Sequence, residues 1–130
     1  SRRIFSSAPW RSQQRLWLSM AGSPGWGPGG QESWVPMADG CEIFVRKWSP
    51  EGRPKAVVHM CHGMAEHSAR YGTLAAFLAS EGFVVYASDQ RAHGQTALRA
   101  QEKGQAGHKF GHFEGPGSPG GVQQIIKDHE

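Results

Sequence analysis

The sequence predicts an α/β fold in which an antiparallel strand pair leads into a partly parallel sheet with flanking helices. Three observations carry that prediction. Residues 56–61, Ala-Val-Val-His-Met-Cys, form an almost unbroken apolar run of strand length, the pattern of a strand buried on both faces. Residues 71–81 carry Leu74, Ala75, Phe77 and Leu78 at helical spacing, and Gly82 follows as a stop. A second apolar run, residues 83–87, comes next. Strand, helix and strand in that order make a βαβ unit, whose strands run parallel and whose crossover is right-handed.

The remaining elements follow in order. Residues 31–36 suit a first edge strand. Ala38-Asp39-Gly40 reads as a tight hairpin turn, because Asp-Gly accepts the positive φ such turns need. Residues 41–48 alternate, with Cys41, Ile43, Val45 and Lys47 on one face and Glu42, Phe44, Arg46 and Trp48 on the other. This predicts a strand antiparallel to the first. Residues 49–54 are a Pro/Gly loop. Residues 91–121 show no clear period and read as a long, polar, Gly-rich connection. Residues 121–130 open a helix with an apolar stripe of Val122, Ile125 and Ile126.

Composition narrows the function. The chain has 130 residues and a net charge of +3. Arg2, Arg3, Arg11 and Arg15 lie in the first 30 residues, which hold no acid. Beyond them, ten basic residues face eleven acidic ones, so the body has no field suited to nucleic acid. Residues 1–30 read as a disordered leader or targeting segment ending in a Gly/Pro linker. An Arg/Ser-rich organellar transit segment and a non-native upstream leader, with Met20 or Met37 as the start, both fit. Residues 31–130 form the expected domain. Cys41 and Cys61 sit in apolar, strand-like surroundings and are expected to be buried free thiols. No apolar run reaches the roughly 18 residues of a membrane-spanning helix.

The richest stretch lies just past the run at 56–61. It reads His62-Gly63-Met64-Ala65-Glu66-His67-Ser68-Ala69-Arg70-Tyr71. A strand that ends in His-Gly and turns into a helix leaves amide hydrogens unpaired and available to negative charge. These residues resemble the oxyanion-loop motif His-Gly-x-Gly-Glu-His-Ser-x-Arg-Tyr of the monoacylglycerol lipase and lysophospholipase branch of the α/β-hydrolases, the serine aminopeptidase S33 type. Asp89-Gln90-Arg91-Ala92-His93-Gly94-Gln95-Thr96 resembles the same branch's Asp-x-x-Gly-His-Gly-x-Ser. The resemblance runs from about residue 40 to about residue 128 and covers the first part of the family's domain.

The resemblance implies a serine hydrolase acting on carboxylic esters of lipids, with no cofactor. It implies that the Met64 amide is one oxyanion donor, and that His62, Gly63, Glu66, His67 and Arg70 support that loop. It also implies that Asp89, His93 and Gly94 anchor the loop of the second motif. His67 and Arg70 are expected to hold the loop to neighbouring backbone. Two family glycines are replaced, by Ala65 and Ala92, at positions where a positive φ would make alanine costly. The family's Gly-x-Ser-x-Gly nucleophile elbow, acid and base are expected beyond Glu130, so this chain alone is expected to be inactive. Gly107-His108-Lys109-Phe110-Gly111 has the outline of an elbow but carries Lys109 in place of serine. The competing expectation is a non-catalytic interaction protein that pairs through an exposed sheet edge. Expected partners are a lipid ester substrate, peripheral contact with a membrane and protein partners of unspecified kind. A parallel strand ending an unfinished sheet also leaves apolar area exposed, which predicts poor solubility.

A metal reading starts from His59, Cys61, His62 and His67, four possible ligands in nine residues. Strand alternation sets His59 and Cys61 opposite His62, and the spacing matches no familiar zinc motif, so no metal site is assigned. His108, His112 and His129 read as solvated.

Overall fold

The computed structural model describes residues 30–105, 110–111 and 121–130, with side chains at the last segment from residue 123. The leader up to residue 29 and the elbow-like residues 107–109 lie outside the described residues. The four strands are β1 (Gln31–Pro36), β2 (Glu42–Trp48), β3 (Ala56–Cys61) and β4 (Phe83–Asp89). They form one mixed sheet in the order β1-β2-β4-β3.

β1 and β2 pair antiparallel from Gln31↔Lys47 to Pro36↔Glu42. Their turn is closed by Gly40 N–H to the Met37 carbonyl at 2.9 Å, with Gly40 at φ 83°. The Asp39 carboxylate also accepts the Cys41 amide hydrogen at 3.1 Å. β2 then pairs antiparallel with β4, and β3 pairs parallel with β4 from Ala56↔Phe83 to Cys61↔Ser88. The βαβ pairing expected from sequence is therefore present, as are the hairpin and the mixed sheet.

A 3-10 turn (Ser68–Tyr71) runs directly into α1 (Gly72–Ser80). Ala75 and Ala79 of α1 are buried against Trp48, Val85 and Ala87 of the sheet, with Val58 and Met60 of β3 packed at the margin. Leu74 and Phe77 point to solvent instead. The helix presents its smallest residues to the sheet, which lets the two backbones approach closely. The apolar spacing in the sequence could not distinguish that face from its larger neighbours.

Two further expectations change. β3 is not buried on both faces: Val57 is 67% exposed, and His59 and Cys61 share its open side. β3 closes the sheet order, so one of its long edges has no neighbouring strand among the described residues. Cys41 is buried as expected, whereas Cys61 is exposed. The long connection after residue 91 is not structureless, since it contains α2 (Gly94–Glu102). Its buried face, Ala97, Leu98 and Ala100, is built largely of alanine, which gives little periodic signal. α3 (Gly121–Asp128) forms where a helix was expected, but Ile126 is exposed rather than part of a buried stripe.

Candidate oxyanion loop

β3 ends at Cys61, and the chain turns through residues 62–67 before the 3-10 turn begins. The turn is held almost amide by amide. Gly63 N–H donates to Glu66 Oε2 at 3.1 Å. Ala65 N–H donates to His93 Nε2 at 3.2 Å. Glu66 N–H donates to the Gly63 carbonyl at 3.2 Å. Met64 N–H lies between these and has no hydrogen-bond partner among the described residues. Its side chain is 70% exposed. One donor at the mouth of the turn is thus left open while its neighbours are fixed.

Two imidazoles fix them. His62 and His93 are both buried, with ring centroids 5.0 Å apart. His62 Nε2 accepts the Gln90 amide hydrogen at 2.9 Å, and its Nδ1 lies 2.8 Å from the Gly63 carbonyl. His93 Nε2 accepts from Ala65, and its Nδ1 lies 2.8 Å from the Arg91 carbonyl. Each ring must therefore be neutral and carry its proton on Nδ1, because Nε2 faces a donor. Burial also holds His93 below the ordinary histidine range, against the opposing pull of its bond to the Arg91 carbonyl. The Gln90 side-chain amide adds a bond to the His62 carbonyl at 2.9 Å.

Asp89 joins the loop to the rest of the fold. It is 1% exposed at the end of β4. Its Oδ1 accepts the Ser68 amide hydrogen at 2.6 Å, and its Oδ2 accepts that of Gln95 at 2.8 Å. One carboxylate so caps the 3-10 turn and the first turn of α2, both positive ends of helical dipoles. Thr96 Oγ1 donates to the Asp89 carbonyl at 2.6 Å and accepts Phe44 N–H at 2.9 Å, tying β2 to the same point. Gly94 has φ 51°, and a Cβ there would overlap the Asp89 carboxylate. Both alanines that replace family glycines are also left-handed, Ala65 at φ 60° and Ala92 at φ 58°.

Glu66 is held from several sides. Beyond Gly63, its Oε2 accepts the Tyr71 hydroxyl at 2.8 Å, and its Oε1 pairs with Arg70 at 3.0 Å. The Tyr71 bond leads the Gly63 amide and Arg70 in holding its carboxyl below the usual range. Arg70 thus braces the loop through a side-chain pair with Glu66 as well as through its own backbone. His67 is buried ahead of the 3-10 turn, and its carbonyl accepts Arg70 N–H at 3.2 Å. Desolvation pushes its imidazole down to about 4.

The structure brings His62, Gly63, Met64, Glu66, His67 and Arg70 together with Asp89, His93 and Gly94 in one network. Sequence reasoning passed over Gln90, which binds His62 twice, and the fork of Arg91. The Arg91 guanidinium meets Asp39 at 2.6 and 2.9 Å and Asp128 at 2.5 and 2.9 Å, linking the hairpin turn to α3. The arginine of the second motif was the available signal, but its partners lie 52 and 37 residues away. The four-ligand metal grouping does not form: His62 and His67 stay with the loop. His59 and Cys61 meet His129 instead, and His129 is half-buried against His59 rather than solvated.

Comparison with known proteins bears on the fold and on the family that the chain resembles. The serine aminopeptidase S33 family matches residues 52–114. Human monoglyceride lipase is 46% identical over 59 residues, which are 45% of this chain and 20% of that protein. The monoacylglycerol lipase of Mycolicibacterium smegmatis is 40% identical over 57 residues, 44% of this chain and 20% of its own length. The chain spans about a fifth of the length of these curated relatives. Among solved structures, a thermostable carboxyl esterase from Bacillus coagulans superposes with a TM-score of 0.51 at 32% identity, over 55% of this chain and 23% of that one. A monoglyceride lipase from Saccharomyces cerevisiae superposes with a TM-score of 0.53 over 84% of this chain and 33% of its own; at 15% identity it speaks to the fold alone. The chain has the mixed sheet of part of an α/β-hydrolase fold, and its two motifs and these matches make it similar to the monoacylglycerol lipase-like branch of that fold.

Proposed function

We propose that residues 31–130 supply the oxyanion-binding half of a serine hydrolase that cleaves carboxylic esters of lipids, of the monoacylglycerol or lysophospholipid kind. The observation that carries this is the Met64 amide, open between three amides that are bonded. In acyl transfer, a serine oxygen adds to the ester carbonyl and negative charge gathers on the carbonyl oxygen. A fixed N–H aimed at that oxygen stabilises the charge without reorganising, and losing one such donor costs about 2.7–4 kcal/mol. Glu66, His93 and His62 hold the loop from three sides, so that Met64 keeps its place as the charge develops. The exposed Met64 side chain offers an apolar contact to an acyl chain beside the donor. The names of the similar lipases support a lipid ester as substrate.

These 130 residues contain no Gly-x-Ser-x-Gly sequence, so the nucleophile must come from elsewhere in the catalytic unit. The 130-residue chain by itself should give no stoichiometric labelling with a fluorophosphonate. A longer product that includes the elbow should hydrolyse a monoacylglycerol. In that product, Met64→Ala should keep kcat near the parent value, because the backbone is the donor. Met64→Pro should lower kcat by about 100- to 1,000-fold. If the proline variant misfolds, the α-hydroxy-acid analogue of methionine at position 64 removes the N–H alone. Parent-level kcat in a folded variant that lacks this hydrogen overturns the proposal.

A second reading is favoured by the open edge of β3, with Val57 67% exposed beside it. There the chain is a non-catalytic module that takes an added strand. An inactive longer product and saturable binding of an extended peptide along β3 would select it.

A further inference from the structure

We propose that His59, Cys61 and His129 form a zinc(II) site on the face of the sheet opposite α1. His59 and Cys61 are alternate residues of β3, so their side chains leave the same face. Val58 and Met60, between and beside them, pack on the other face against the α1 core. His129 arrives from a distant part of the chain, just after α3, and its ring lies 4.8 Å from that of His59. The three donor atoms, two imidazole nitrogens and one thiol sulfur, all lie within 4.8 Å of one another.

Tetrahedral zinc, with bonds of about 2.0–2.3 Å to nitrogen and sulfur, needs its donors roughly 3.4–3.6 Å apart. Each pair must close by little more than about 1 Å, and His129 sits in the last turn beyond α3, where backbone yields easily. One thiolate and two imidazoles are a borderline-soft set that suits zinc over magnesium or calcium. Three protein ligands leave a fourth position for water or another donor. Zinc here would clip the end of α3 onto β3, next to the Asp128 carboxylate that Arg91 already holds. The site is distinct from the oxyanion loop, since His62 and His93 lie with the loop and are engaged there.

The test uses the 130-residue chain, reduced and metal-free, titrated with cobalt(II) and zinc(II). Cobalt should bind one-to-one, giving the intense visible bands of tetrahedral coordination and a near-ultraviolet thiolate charge-transfer band. Zinc should displace it. Losing an outer-shell partner of a metal ligand already costs about 10- to 100-fold in affinity, so Cys61→Ser and His129→Ala should each weaken zinc by at least that much. Cys61→Ser should also abolish the charge-transfer band. Both positions lie at the surface or half-buried, and far-ultraviolet circular dichroism verifies that the variants fold. Absence of cobalt binding, binding without a thiolate band, or affinity unchanged by both variants overturns the proposal. Because the readout is spectroscopic and uses no ester, it stands or falls separately from the hydrolase reading.

Discussion

Replacing Ala65 with glycine should make the protein more stable, although a substitution to glycine usually does the reverse. Ala65 holds φ at 60°, a conformation that costs an L-residue roughly 1–2 kcal/mol. Glycine removes that cost but has more freedom to lose on folding, worth about 0.4–1 kcal/mol. The Ala65 methyl is exposed, so its removal forfeits no burial. The net gain is therefore about 0.5–1 kcal/mol. Ala92 provides the internal control. Its φ of 58° carries the same strain, but it is only 3% exposed. Deleting a buried methyl costs about 0.8 kcal/mol, which cancels the gain. Urea unfolding followed by circular dichroism should show a higher midpoint for Ala65→Gly, an unchanged slope, and little movement for Ala92→Gly. A lower midpoint for Ala65→Gly, or a larger gain at Ala92, would refute the reasoning.

Other outcomes follow from the same network. His67 is neutral when folded down to about 4, against 6.5 for a free histidine, so between those values the unfolded chain binds more protons. The stability this histidine contributes is complete above pH 6.5 and is lost as pH falls towards 4, by roughly 2–4 kcal/mol, with His93 acting in the same direction. Asp39, held low first by its Arg91 bonds, loses its contribution only at still lower pH, so unfolding midpoints compared at pH 7.5 and 4.5 report mainly on histidine. A midpoint that does not move across that interval contradicts the assignment. Gly94→Ala should abolish folding or cost more than about 3 kcal/mol, because its Cβ meets a carboxylate already bound to two amides. Arg91→Ala should cost about 2–4 kcal/mol by leaving the Asp128 carboxylate, 5% exposed, without its partner. Amide exchange along α3 should rise in that variant.

Much of this was legible in the chain because it is written locally. The apolar runs at 56–61 and 83–87 became paired parallel strands, and Asp39-Gly40 became the hairpin turn. The two motifs fall on the two ends of β3 and β4, which the register brings side by side: Cys61 lies opposite Ser88. Sequence reasoning failed where burial depends on neighbours. β3 reads as a doubly buried strand, but the order of the sheet leaves it at the edge. α2 escaped notice because alanines, Thr96 and Gly94 make a face too small to show a period. The Arg91 fork and the meeting of His129 with His59 join residues far apart in the chain, and no spacing rule reaches that distance.

Everything functional depends on one backbone hydrogen being left open at position 64 while those around it are engaged. Residue-resolved amide exchange of the intact chain, read by heteronuclear NMR, tests this directly. Met64 should exchange at close to the rate of an unstructured peptide, with Ala65 and Ser68 markedly slower. Equal protection at Met64 and Ala65 would mean that the hydrogen is already spent inside the fold, and no oxyanion could claim it.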